Sequence, residues 1–134
     1  ESLSGYDLVI TSYTLLKDSP VAAVHWHRLV LDESTELRSP GTGKTRQVSA
    51  IRASLRWALS ATPMPNGAQC LEGQLCALQM HPYDISRIFS SRINPTTNGC
   101  WVGSRAHSQA SEQPMLKFLA SCSVRHLKNS LISV

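Results

Sequence analysis

Residues 26–40 read WHRLVLDESTELRSP and combine a short apolar run with a polar, acidic end. The apolar run, Leu29-Val30-Leu31, is short and continuous, and two adjacent carboxylates, Asp32 and Glu33, follow it at once. A short apolar run bounded by polar residues is typical of a buried strand in a parallel sheet. The stretch therefore predicts a buried strand whose carboxyl end presents an acidic pair.

Two further apolar runs of this kind flank the first one. Residues 8–10 read LVI and precede Thr11-Ser12-Tyr13, while residues 56–59 read RWAL and precede Ser60-Ala61-Thr62. Parallel strands end at one common edge of a sheet, and ligands bind along that edge. We therefore expect all three runs to be parallel strands and their three polar ends to line one crevice. Trp57, within the third run, is predicted to be core.

Helical patterns separate and follow these runs, which predicts an α/β fold with a parallel sheet. One helix is predicted from Lys44 to about Ala53, with Val48 and Ile51 on one face, and another contains Leu71, Leu75 and Leu78. We expect residues 1–80 to form the sheet-containing domain. Residues 81–134 are predicted to be a helical extension with a polar loop at about 94–113 and a C-terminal helix.

Composition excludes several classes of protein. Hydrophobic residues make up 42% of the 134 residues and charged residues 16%, which is too apolar for a disordered chain. The net charge of +4 favours an anionic partner, though weakly. No apolar stretch is long enough to span a membrane. The four cysteines form no C-x-x-C pair, which argues against zinc and predicts reduced thiols. The first residue, Glu1, suggests a fragment or a processed chain.

The acidic pair has a specific chemical use after a buried strand. An Asp in this place can hold a magnesium ion that bridges nucleotide phosphates, and the following Glu can orient the attacking water. Alternatively, Asp32 and Glu33 merely cap the turn after the strand. Ser-Ala-Thr-Pro at residues 60–63, after a neighbouring strand, favours the nucleotide interpretation.

The motifs together resemble a known family. YDLVITSYTLL (6–16), WHRLVLDESTELRSP (26–40) and LRWALSATPMPN (55–66) are similar, in order and spacing, to blocks in the first RecA-like lobe of Snf-type (SWI/SNF-related) helicase-like DNA translocase ATPases. The similarity is greatest to the branch of helicase-like transcription factors and RING-bearing repair translocases. LEGQLCALQMHPYDISRIF (71–89) resembles the helical protrusion of that lobe, and MLKFLASCSVRHLKNSL (115–131) resembles its closing helix. The implied fold is part of a P-loop NTPase lobe.

The resemblance implies roles for individual residues. Asp32 would bind magnesium through the nucleotide, and Glu33 would activate water, so both would be catalytic. Ser60 and Thr62 would couple the nucleotide site to DNA contacts. The residues implied near nucleic acid are Thr11, Ser12, Tyr13, Arg125 and Lys128. The last two could instead simply favour a helix C-terminus, where cations are stabilised.

The same resemblance implies ATP with magnesium as cofactor, double-stranded DNA or chromatin as partner, and a nuclear location for the intact motor. These 134 residues lack the family's phosphate-binding loop and second RecA-like lobe, so we expect the isolated chain to be inactive. Family members usually have His at the position of Thr35 and Gln at that of Pro65. Both departures put coupling in doubt.

Two alternatives to a motor segment remain open. The chain could be a non-catalytic descendant that keeps the fold as a binding or structural module, or an unrelated small P-loop protein that uses Lys44 and Thr45. The sequence GTGKT at residues 41–45 suggests a phosphate loop, but Arg38 stands where the pattern requires its first glycine. We therefore interpret Gly41 and Gly43 as turn residues.

Overall fold

The fold is seen in a computed structural model that describes residues 3–93 and 117–123. The chain divides into two units, Glu1–Phe89 and Ser90–Val134. In the first unit, strand β1 (His25–Leu31) pairs in parallel with strand β2 (Arg52–Ala58). The α/β class and the parallel pairing of the second and third apolar runs are therefore confirmed. The predicted domain boundary near residue 80 stays a prediction.

Helices connect and follow the two strands. Helix α1 (Gly43–Ala50) lies between β1 and β2, and helix α2 (Cys70–Leu78) follows β2. Helix α1 ends at Ala50 rather than near Ala53, because β2 already begins at Arg52, where it pairs with His25. Helix α3 (Ser86–Arg92) follows α2. Short 3-10 turns occupy Leu3–Gly5, Tyr13–Asp18, Pro20–Ala23 and Ser34–Glu36.

One face of the sheet, here called the inner face, carries the core. The side chains of Leu31, Leu37, Val48 and Ala77 form a buried cluster. Half-buried side chains of Tyr13, Leu16 and Leu29 pack against this cluster. The cluster thus joins β1, α1 and α2, and it lies directly beneath the carboxyl end of β1.

Arg56 anchors both helices to the inner face of β2. Its guanidinium donates hydrogen bonds to the carbonyl oxygens of Val48 (3.4 Å), Ala77 (2.8 Å) and Ile51. Carbonyls at helix C-termini lack intrahelical donors, and a cation there is favoured by the helix dipole. Burial lowers the pKa of the Arg56 guanidinium below its usual value. Arg56 therefore ties the ends of α1 and α2 to the sheet.

Gly73 lets helix α2 approach the loop that follows β1. A β-carbon at this position would lie 2.6 Å from the amide nitrogen of Ser39 and closer still to the carbonyl oxygen of Leu37. Real side chains do not tolerate such contacts with backbone atoms. The absence of a side chain at Gly73 therefore permits α2 to lie this close to the loop after β1.

The opposite face of the sheet, here called the outer face, is exposed. Its side chains Val30, Leu55 and Trp57 are 48%, 42% and 53% exposed, and the Arg28 guanidinium lies 5.2 Å from the centre of the Trp57 ring. The prediction that Trp57 is core is wrong. Trp57 is in register with Val30, so both side chains point away from the face that α1 and α2 cover.

The prediction of a strand at residues 8–10 is also wrong. Leu8 and Ile10 are 74% and 86% exposed, and no backbone hydrogen bond joins this run to β1 within the described residues. A groove of about 400 Å³, lined mostly by apolar side chains, separates the run from β1. The chain is held instead just after the run, where Tyr13 and Leu16 pack on the core.

Only part of the predicted C-terminal extension is described. Residues 117–122 are helical, and the predicted polar loop at 94–113 lies outside the described residues. The predicted helical extension with its C-terminal helix stays a prediction. Within residues 3–93 and 117–123, no helix is long and apolar enough to cross a membrane.

Candidate functional site

The acidic loop, residues 32–37, follows β1 at the carboxyl edge of the sheet. Asp32 is exposed, and one of its carboxylate oxygens accepts a hydrogen bond of 2.9 Å from the amide of Glu33. Its backbone carbonyl accepts a hydrogen bond of 2.8 Å from the Tyr13 hydroxyl. The second carboxylate oxygen of Asp32 has no protein donor among the described residues.

Glu33 stands in an unusual backbone conformation. Its φ of 45° and ψ of 49° are left-handed, a region that non-glycine residues seldom occupy. Such conformations persist where the surrounding structure holds them, and they cluster at functional sites. The side chain of Glu33 is exposed. The left-handed turn thus falls on the second residue of the acidic pair.

Tyr13 joins the N-terminal segment to the acidic loop. Burial first, and then the negative charges of Asp32, Glu36 and Glu33, raise the pKa of Tyr13 to about 12. The phenol therefore stays protonated and donates its hydrogen bond to Asp32 at neutral pH. Thr11 and Ser12 are exposed, and the Ser12 hydroxyl lies 2.9 Å from that of Thr14. The nucleic-acid role expected of Thr11, Ser12 and Tyr13 stays a prediction.

The serine–threonine loop, residues 60–63, follows β2 beside the acidic loop. The Ser60 hydroxyl accepts a hydrogen bond of 3.1 Å from the amide of Thr62, whose side chain is exposed. Backbone bonds continue past the strands: Leu59 donates to the carbonyl of Leu31 (2.8 Å), and Ser34 donates to the carbonyl of Leu59 (2.9 Å). These bonds bring the two loops to one edge, as the parallel strands predicted.

Gln74 connects the two loops from beneath, and sequence reasoning missed it. Its side-chain oxygen accepts a bond of 2.9 Å from the Ser34 hydroxyl, and its nitrogen donates a bond of 2.8 Å to the carbonyl of Pro63. Ser34 and Gln74 are 1% and 4% exposed. The available signal was a polar residue on the apolar face of α2, between Leu71 and Leu78.

The residues of the GTGKT sequence (41–45), which resembles a phosphate loop, make contacts within the protein instead. The Lys44 ammonium lies 2.7 Å from a carboxylate oxygen of Glu36. Thr45 is fully buried, and its hydroxyl lies 2.8 Å from that of Thr42. Thr42 caps α1, since its side chain accepts a hydrogen bond from the amide of Thr45. Gly41 and Gly43 therefore belong to a turn and a helix start, and this geometry gives a P-loop at Lys44 and Thr45 no support.

Other predicted site features are only partly described. Arg125 and Lys128 lie outside the described residues, so their proposed phosphate contacts stay predictions. The described part of the chain contains no group of three or more His, Cys, Asp or Glu side chains that could hold a metal. Asp32 presents an exposed carboxylate directly after β1, and its role as a magnesium ligand stays a prediction.

Comparison with known proteins identifies the family of this site. Residues 1–133 match the family model described as the SNF2-related domain. The chain therefore belongs to the SNF2-related domain family, and this confirms the resemblance of its motifs. Members of this family use nucleotides.

Individual relatives cover the same region. The chain is 34% identical over 97 residues to a putative SWI/SNF-related matrix-associated actin-dependent regulator of chromatin, subfamily A member 3-like 1, from Arabidopsis thaliana, covering 68% of this chain and 11% of that protein. It is 34% identical over 106 residues to the helicase-like transcription factor of Mus musculus, covering 72% of this chain and 10% of that protein. The chain thus spans about a tenth of these relatives.

A solved structure supports the fold. The Sulfolobus solfataricus SWI2/SNF2 ATPase core in complex with double-stranded DNA matches with a TM-score of 0.64 at 22% identity, covering 90% of this chain and 24% of that one. This match shows a RecA-like fold and confirms the predicted architecture of a partial lobe.

Proposed function

We propose that this chain is the later part of the first motor lobe of an ATP-dependent DNA translocase that acts in chromatin remodelling or DNA repair. The observation that carries the proposal is the carboxyl edge of the sheet, where the acidic loop and the serine–threonine loop follow adjacent parallel strands. Family membership supports it. Double-stranded DNA or chromatin is the proposed partner of the intact protein, and the nucleus its proposed location.

The proposed cofactor is ATP with magnesium. The donor set fits, because magnesium in nucleotide sites is held by one or two carboxylates and takes its other ligands from phosphates and water. Bound magnesium would neutralise charge that develops on the phosphates during transfer. Asp32 would supply a carboxylate ligand, and the exposed Glu33 would orient a water and accept its proton. Ser60 and Thr62 would connect this chemistry to DNA contacts.

The exposed outer face also supports the assignment to a partial lobe. Parallel sheets occur almost only with both faces covered. Here the described residues cover the inner face, while Val30, Leu55 and Trp57 on the outer face remain accessible. In an intact motor lobe we expect further polypeptide to cover this face.

The isolated chain should neither bind ATP tightly nor hydrolyse it. Most of the hold on a nucleotide comes from phosphate-loop amides and the loop lysine, which meet the phosphate charge directly. ATP titration calorimetry with magnesium, together with phosphate release with and without duplex DNA, tests this expectation. Micromolar binding, or DNA-stimulated turnover that Glu33→Gln abolishes, would mean that the 134 residues hold a complete site.

A metal titration tests the proposed role of Asp32 directly. Manganese should broaden the NMR signals of Asp32 and Glu33 at millimolar concentration, because a single carboxylate binds a hydrated ion weakly. Asp32→Asn should remove this broadening, whereas Asp7→Asn, at another exposed aspartate, should leave it unchanged. Broadening that survives Asp32→Asn would contradict the assignment.

The second candidate function is that of a non-catalytic descendant, which the departures at Thr35 and Pro65 favour. A chimera separates the two: residues 6–80 replace the matching segment of a family member with measurable DNA-stimulated ATP hydrolysis. A working motor segment should retain hydrolysis that depends on Glu33. If hydrolysis is lost and Thr35→His with Pro65→Gln restores it, the chain is a descendant whose coupling has decayed.

A further inference from the structure

We infer that Gln74 is a positioning residue that holds Glu33 in its left-handed conformation by fixing Ser34 against the serine–threonine loop. The inference rests on the proposed function, since it concerns the residue proposed to orient water. Its geometric part can be tested whether or not the chain belongs to an active motor.

Ser34 follows Glu33 directly and is bonded through both its backbone and its side chain. Its amide donates to the carbonyl of Leu59 at 2.9 Å, and its carbonyl accepts from the amide of Leu37 at 3.0 Å. Its hydroxyl donates to the side-chain oxygen of Gln74 at 2.9 Å. With amide, carbonyl and hydroxyl all bonded, Ser34 resists the backbone rotation that a relaxation of Glu33 would need. Of these contacts, only the one with Gln74 is made by side chains alone.

Gln74 is itself held in place from the helix side. Its nitrogen donates to the carbonyls of Pro63 at 2.8 Å and Cys70 at 2.9 Å. The neighbouring Gly73 allows α2 to come this close to the acidic loop. Because Gln74 is 4% exposed, water cannot readily take over its bonds. The amide thus spans both loops of the carboxyl edge from a rigid helix.

The same bridge connects the two loops to each other. A movement of Pro63 in the serine–threonine loop would reach Ser34, and through it Glu33, by way of the Gln74 amide. We therefore expect Gln74 to transmit displacement between the loops as well as to fix Glu33.

The first experiment measures the backbone conformation of Glu33 in the full 134-residue chain. One-bond Cα–Hα couplings distinguish positive from negative φ at a single residue. Gln74→Leu should lower the ratio of left-handed to other Glu33 conformers by about five- to tenfold, the effect of losing roughly one buried hydrogen bond. Ser34→Ala, which removes the same bond from its smaller partner, should have the same effect.

A matched control separates positioning from general destabilisation. Gln69→Leu makes the same chemical change at an exposed glutamine that donates to the carbonyl of Asn66 at 2.6 Å, away from the acidic loop. It should leave the φ of Glu33 unchanged. If Gln74→Leu and Ser34→Ala also leave Glu33 left-handed, the positioning role is overturned, even if both variants unfold more easily.

Manganese broadening then distinguishes this inference from the proposed function. In Gln74→Leu, broadening at Asp32 and at its neighbour Glu33 should persist, because Asp32 is the proposed ligand and is not released. Absence of broadening in the unsubstituted chain would count against the metal site and leave the φ measurement valid. Loss of broadening at Asp32 in Gln74→Leu would show that the substitution disturbs the whole acidic loop, and it would overturn a role specific to Glu33.

Discussion

The two faces of the β1–β2 sheet are built from similar residues yet differ in what covers them. On the inner face, Leu31 is 4% exposed beneath α1 and α2. On the outer face, Leu55 is 42% exposed and Trp57 53%. Each face also carries an arginine: Arg56 is bonded to helix-terminal carbonyls, and Arg28 lies over Trp57. The difference shows that apolar residues in a strand predict that its faces should be covered. They do not predict which segment of the polypeptide covers each face.

The largest expected effect tests this difference with the same substitution on each face. Leu31→Ala should lower the free energy of unfolding by about 2–4 kcal/mol, because it leaves a cavity in the core cluster. Leu55→Ala on the outer face should cost less than about 1 kcal/mol, since its side chain already meets water. Urea denaturation of both variants provides the measurement. Equal losses would mean that the outer face is covered in solution.

The two arginines, one on each face, allow the same comparison with a polar side chain. Arg56→Met should lower the free energy of unfolding by about 2 kcal/mol, because the carbonyls of Val48, Ile51 and Ala77 lose a shared donor. Arg28→Met should cost at most about 1 kcal/mol, the range of an exposed cation–π contact. The same denaturation assay applies. A larger loss for Arg28→Met would contradict the view that the outer face contributes little within this chain.

Sequence reasoning succeeded where a local pattern carried the physical cause. The Leu29-Val30-Leu31 run followed by Asp32 predicted a strand with a carboxylate at its end, and helical spacing placed Val48 in the core. It failed at Leu8-Val9-Ile10, because a strand exists only where another strand accepts its hydrogen bonds. An apolar run alone does not indicate whether a neighbouring strand is placed to pair with it.

The candidate site was predictable in its acidic pair but not in its support. Asp32 and Glu33 became site candidates because the acidic pair, common when taken alone, occurs together with Ser-Ala-Thr-Pro at residues 60–63 after a neighbouring apolar run. Gln74 lies 40 positions beyond Ser34, and nothing in the local sequence relates the two residues. Their bond depends on the close approach of α2 that Gly73 permits. Such contacts follow from packing, which periodicity does not encode.

Tyr13 lies where the inner face meets the acidic loop, and its substitution should have an intermediate effect. Tyr13→Phe keeps the ring on the core but removes the hydrogen bond to the carbonyl of Asp32. We expect a loss of about 0.5–1.5 kcal/mol at pH 7, the usual net value of one hydrogen bond. In Tyr13→Phe, the free energy of unfolding should also depend less on pH in the alkaline range.

The sign of that pH dependence follows from the raised pKa. Above pH 10 the unfolded chain releases the Tyr13 proton, while the folded chain retains it until about pH 12. Between these two pH values the unfolded state binds fewer protons than the folded state. The contribution of Tyr13 to the free energy of unfolding is therefore complete below pH 10 and falls as the pH rises towards 12. Denaturation at pH 9 and pH 11 should show a steeper fall for the unsubstituted chain than for Tyr13→Phe. Parallel curves would show that the Tyr13 hydroxyl is not held in the folded state.

The smallest effect is expected at Lys44, whose side chain lies on neither face of the sheet. Its ammonium pairs with Glu36, and the two side chains are 40% and 49% exposed to solvent. Exposed ion pairs contribute little, because water and salt screen the charges. Lys44→Met should therefore leave the urea midpoint unchanged within error, whereas Thr45→Val, at the neighbouring buried residue, should lower it by removing the hydroxyl bonded to Thr42. Manganese broadening at Asp32 should also survive Lys44→Met.

A phosphate loop at this position would behave differently, because loss of its lysine should abolish any binding of ATP measured by calorimetry.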